Sequence, residues 1–220
     1  MKKLRVCVVI GILALAATGQ TRRVEKPTLT DHVLERQVVG DELEYQTTSD
    51  AFHSMLVRTR VPGGMVRTID CFDDTLKQSW RPLNSPLHQA LDAIVRVDPR
   101  YRWEHKGGTI NLLPAKGEPA LLETRIAEFH VENMSSAMEA LDQLLARPEV
   151  ERAMTDLHLQ PGVRLIIGPV SPTPPRRFSV HCKEVTLRSA LNAIACGQGQ
   201  AIWRYVEIHC AGRNEVVISF

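Results

Sequence analysis

The chain runs to 220 residues, 44% hydrophobic and 24% charged, with 27 basic and 25 acidic side chains, which suits globular cores and excludes collagen-like, low-complexity and strongly charged disordered classes. Its formal charge of +2 comes with no run of Lys or Arg interleaved with aromatics, so no nucleic-acid interface is expected.

Lys2, Lys3 and Arg5 precede an apolar run from Val6 to Ala17 that ends among the small residues Ala14, Ala16, Ala17 and Gly19. That is the charged, apolar and small order of a secretory signal. The run is about a dozen residues, short of the roughly 20 that cross a bilayer, so residues 1–19 are expected to be cleaved after Ala16 or Gly19. A periplasmic or secreted chain with no stable membrane span is the expected product. Cleavage removes three of the 27 basic residues and none of the 25 acidic ones, leaving a nearly neutral protein. Cys7 leaves as well, and Cys71, Cys182, Cys196 and Cys210 remain, an even set compatible with disulfides in an oxidising compartment.

After an N-terminal extension over 20–42, the pattern predicts a strand at Tyr45 to Thr47, a helix from Asp50 to Arg60 and a strand near Leu76 to Trp80. A second helix follows from Ser85, with Leu87, Ala90, Leu91 and Ile94 at i, i+3, i+4 and i+7. Tyr101 to His105 and Thr109 to Leu113 read as a hairpin across Lys106-Gly107-Gly108. A linker covers 115–123. The order then recurs: a strand at Ile126 to Val131, a helix from Ser135 to Leu145 capped by Ser135, a Pro-rich insertion over 168–175, and a strand from Phe178 to Cys182. Leu187, Ala190, Leu191 and Ile194 repeat the helical stripe, and Ile202 to Val206 with Val216 to Phe220 repeat the hairpin. The expected fold is α+β: two small βαβ-βαβ modules in tandem, 43–114 and 124–220, with helices packed on small mixed sheets.

The duplicated Leu-x-x-Ala-Leu-(Asp/Asn)-Ala-Ile at 87–94 and 187–194, each followed by its hairpin, resembles the short N-terminal domain of secretins and TonB-dependent receptors. The resemblance implies a periplasmic module that contacts inner-membrane partners, secreted cargo or a regulatory protein, and it brings no catalytic residues. Nothing after Phe220 provides the barrel of those proteins, so the expectation carried over is the interaction module.

Chemistry centres on His181-Cys182 and His209-Cys210. Two His and two Cys can make a tetrahedral zinc site, but in extended strands each His points to the face opposite its Cys. Strands that end at Cys182 and Cys210 and flank one helix would run parallel, so a Cys182–Cys210 disulfide is the favoured pairing over zinc. Trp103 and Trp203 occupy matching hairpin positions; both are candidate partner-binding anchors, against a packing role over a helix. No catalytic residue, cofactor or metal ligand is assigned. The expectation is an exported, non-catalytic protein-binding module of the bacterial envelope, linked to a secretion, pilus or receptor assembly. The alternative is a small exported metal-binding protein or enzyme using the two His-Cys pairs.

Overall fold

A computed structural model describes residues 31–39, 47–70, 84–164, 177–210 and 212–220. The signal segment expected over 1–19, most of the expected extension, Tyr45, Cys71, the strand expected at Leu76 to Trp80 and the Pro-rich insertion lie outside these residues.

In chain order the elements are a one-turn helix α1 (Asp31–Leu34), β1 (Gln37–Val38), α2 (Thr48–Thr59), β2 (Gly63–Asp70), β3 (Ser85–Pro86), α3 (Leu87–Val97) and the hairpin β4 (Tyr101–Lys106) and β5 (Thr109–Pro114). A 3-10 turn (Ala120–Glu123) leads to β6 (Arg125–Met134), α4 (Ala137–Leu145), α5 (Pro148–Asp156), β7 (Gln160–Pro161), β8 (Phe178–Thr186), α6 (Leu187–Gln198) and the hairpin β9 (Ile202–Cys210) and β10 (Arg213–Ser219).

Side-chain oxygens start three of the helices by accepting otherwise orphaned backbone N–H groups. Thr47 accepts from Asp50 N at 3.1 Å, and Thr186 from Ser189 N at 3.2 Å. At α4 the cap is Ser136, one residue later than expected, because Ser135 instead binds Glu139 through its backbone N–H at 3.3 Å and its hydroxyl at 3.1 Å. The repeated stripes bury as expected: Leu87, Ala90, Leu91 and Ile94 on α3, and Leu187, Ala190, Leu191 and Ile194 on α6. Each buried Leu or Ile contributes roughly 1.5–3 kcal/mol.

The two halves share one topology. In the first, β1 pairs with β3 in a two-stranded ribbon, and β2 lies parallel to β5, the inner strand of the β4-β5 hairpin. In the second, β6 pairs with β8, and β7 lies parallel to β10 of the β9-β10 hairpin. The two three-stranded sheets then fuse, because β2 also runs parallel to β9 from Gly63↔Ile202 to Asp70↔His209. The result is one six-stranded sheet in the order β4-β5-β2-β9-β10-β7.

Strand alternation sends successive side chains to opposite faces, and the fused sheet uses both. Met65, Ile110, Leu112 and Ile202 pack in a core with α2 and α3, whereas Val66, Leu113, Trp203 and Tyr205 pack in a second core with α4 and α6. The ribbons close the outer sides of the helix pairs, so the layers run ribbon, helices, sheet, helices, ribbon. Close approach across the junction depends on glycine. A Cβ at Gly64 would lie 1.8 Å from Trp203 Cε2, and one at Gly63 would lie 2.1 Å from the Ile110 carbonyl oxygen.

Candidate interaction edge

β4 and β9 are the matching first strands of the two hairpins, and the fold treats them differently. β9 is covered along its outer side by β2 over eight consecutive pairs. β4 ends the sheet, and among the described residues no strand pairs with its outer side. From Arg102 to Lys106, outer backbone groups with no strand partner among the described residues form a template for another extended chain.

Both tryptophans of these strands are anchored the same way. Trp103 Nε1 donates to Asp92 Oδ1 at 2.9 Å, and Trp203 Nε1 donates to Asn192 Oδ1 at 2.8 Å. The acceptors are the Asp and Asn of the duplicated helical motif, so each hairpin is pinned to its own helix. The consequence for partner binding differs. Trp203 is fully buried beneath β2 and cannot act as an exposed anchor, which corrects that expectation; Trp103 stays half-buried at the open edge.

On the opposite face of β4, the second module holds the strand in place. Arg188 of α6 pairs with Glu104 of β4, with Glu118 at 2.9 Å and with Glu123 at 3.9 Å. Arg102 adds contacts to Glu104 at 3.4 Å and Glu118 at 3.3 Å. Burial pushes the Glu118 carboxyl up, an effect that Arg188 opposes. The charges are spaced across three segments of the chain, and only folding assembles them, so no local motif announced this network.

The His-Cys pairs do not meet. His181 and Cys182 sit on the outer β6-β8 ribbon, whereas His209 and Cys210 sit on β9 in the middle sheet. Cys182 carries a free thiol, as does Cys196, while Cys210 is disulfide-bonded. The expected Cys182–Cys210 bridge is therefore wrong: the two strands belong to different layers with α6 between them. Burial raises the Cys182 and Cys196 thiols above the ordinary range, which leaves them less reactive as thiolates.

Each histidine has local partners instead. His181 faces its cross-strand neighbour His130 with ring centroids 5.0 Å apart, and its Nε2 lies 3.0 Å from Glu128. His209 contacts Asn214 through Nδ1 at 3.1 Å and Glu207 through Nε2 at 2.7 Å. The bond to Asn214, above all, raises the His209 pKa against a smaller effect of burial. Glu207 also accepts from the buried Tyr205 hydroxyl, whose pKa is driven far up, first by burial and then by that carboxylate. Among the described residues no group of three or more His, Cys, Asp or Glu is placed to hold a metal ion. In the second module a pocket of about 300 Å³ opens between α5, β7 and β10, lined by Met154, Leu159, Val216, Ile218 and Arg164 among others.

No described helix is long and apolar enough to cross a membrane. Compared with known proteins, the chain matches no protein family, no curated protein and no solved structure.

Proposed function

We propose that this chain is an exported, non-catalytic interaction protein of the bacterial envelope, built from two modules like the N-terminal domain of secretins and TonB-dependent receptors, and that it binds a protein partner through the edge of β4. The observation that carries the reading is the internal one: the chain already uses this edge once. In the second module β9 accepts a parallel extended strand, with Gly64 in register with Trp203. The first module offers the same strand, with the same Trp-to-helix anchor, and leaves it open among the described residues. Strand addition to a sheet edge gives affinity through main-chain hydrogen bonds and specificity through alternate side chains. The partner segment is accordingly an extended strand that runs parallel to β4 and places a small residue opposite Trp103.

The experiment is photo-cross-linking in the native cell from an unnatural residue at Arg102 or Lys106 on β4, with Glu139 on the outer face of α4 as control. A discrete adduct from β4 positions alone is expected. Equal adducts from β4 and α4, or none from β4, would remove the reading. Export is checked separately by sequencing the N-terminus of the mature chain, which is expected to begin at Ala17 or Gln20.

A further inference from the structure

The outer face of the β6-β8 ribbon carries two histidines directly across from each other. His130 and His181 are cross-strand partners in the antiparallel register, and their ring centroids lie 5.0 Å apart at an interplanar angle of 34°. We infer that they form a two-nitrogen site for a borderline divalent transition ion, copper(II) or nickel(II) ahead of zinc(II).

Strand alternation puts the pair on the solvent side. Phe129 and Val131 of β6 and Val180 of β8 are buried, and Cys182 packs against the same core. The two imidazoles are about half exposed, at 49% and 52%, so they can turn towards a shared ion without displacing a core group. Two imidazoles held at the usual ~2.0–2.1 Å metal–nitrogen distance have ring centres roughly 4.5–5.2 Å apart for bond angles of about 90–110°. The observed spacing of 5.0 Å falls inside that interval.

The carboxylates beside the rings fix which nitrogen is offered. His130 Nε2 lies 3.0 Å from Glu132 Oε1, and His181 Nε2 lies 3.0 Å from Glu128 Oε1. An ionised carboxylate only accepts, so in the neutral imidazole Nε2 carries the proton and Nδ1 keeps the lone pair. A carboxylate behind a ligating imidazole holds its tautomer and orientation and raises its basicity. Imidazole donors suit copper(II), nickel(II) and zinc(II), with copper bound most tightly, whereas magnesium and calcium take oxygen ligands. Two protein nitrogens leave the remaining positions to water, and the bound ion is therefore exchangeable. This accords with the absence, among the described residues, of a group of three or more ligating side chains. Held by both rings, the ion ties β6 to β8.

Untagged full-length chain is titrated with nickel(II) by calorimetry at neutral pH, and the ring protons of its eight histidines are followed by NMR. One equivalent of nickel(II) is expected to bind, with selective broadening of the His130 and His181 signals and no heat from magnesium(II). His130→Ala and His181→Ala should each lower the affinity by about tenfold or more, and Glu128→Ala by roughly tenfold. His209→Ala and Cys182→Ala should leave it unchanged. Without metal, the two variants that lose a ring should melt with the wild type, and nickel(II) should raise the midpoint of the wild type alone. No binding, equal binding after loss of either ring, or a requirement for Cys182 overturns the inference. The readout does not involve β4, so this site and the partner-binding edge can each fail without the other.

Discussion

The indole of Trp203 fills the space in which a side chain on Gly64 would begin, with a Cβ there only 1.8 Å from Cε2. Even the smallest substitution, Gly64→Ala, forces the ring or the strand to move at the junction of the modules. Overpacking of this kind costs about 1–3 kcal/mol or more. The expected result is a lower midpoint in urea for Gly64→Ala, with part of the loss recovered when Trp203→Leu is added. An unchanged midpoint would contradict the packing described.

The two tryptophans should separate stability from binding. Trp203→Ala empties a fully buried site and is expected to cost about 3–5 kcal/mol. Trp103→Ala removes a half-buried ring at an edge and should cost roughly 1 kcal/mol, while sharply reducing the cross-linked adduct from β4. Equilibrium denaturation and the adduct yield measure the two effects.

That divergence also marks the limit of sequence reading here. The duplicated helices were legible because each buries one narrow stripe of local periodicity, and Leu187 packs as the spacing predicts. Trp103 and Trp203 sit at matching positions in matching hairpins, and nothing local distinguishes them. What decides their fates is that β2 joins β9 and leaves β4 alone, a contact between residues about 140 positions apart. β2 itself was not among the strands read from the sequence, since Pro62-Gly63-Gly64 is turn chemistry, although here the glycines serve close approach. The disulfide was misassigned for the same reason. The strand-helix-strand order puts Cys182 and Cys210 on parallel flanking strands, whereas tertiary pairing puts them in separate layers.

Arg188 is expected to matter most near neutral pH. Arg188→Ala leaves Glu104 and Glu118 with only the longer contacts to Arg102; losing a cation costs about 3–5 kcal/mol when the groups are buried and less with the partial exposure and remaining partner here. Burial holds the Glu118 pKa above the ordinary carboxyl value, so the Glu118 contribution is most favourable below that value and is lost as pH rises through the raised one. The deficit of the variant should therefore shrink as pH falls towards 4. A deficit constant from pH 7 to 4 would exclude the network as its cause.

Asp98 shows the opposite sign. Its buried carboxylate accepts from Thr48 Oγ1 at 2.7 Å and from Arg100 Nε and Nη2 at 2.8 and 2.9 Å. Burial alone would raise its pKa, but these bonds outweigh it and the net shift is downward. Its stabilisation is then present above the ordinary carboxylate pKa and lost as pH falls through the lower folded value. Asp98→Asn should cost about 1–3 kcal/mol at pH 7, and thermal melts of variant and wild type should converge below about pH 4.

The central strands give side chains to both cores at once: Met65 and Val66 are neighbours in sequence, yet they belong to opposite hydrophobic interiors. Neither interior can melt while the sheet between them stays ordered on its other face. Although the sequence pattern is duplicated, the described residues therefore form a single cooperative unit, and a cut between β5 and the 3-10 turn, whose Leu121 and Leu122 are themselves fully buried in the second core, is expected to yield two fragments that need each other to fold.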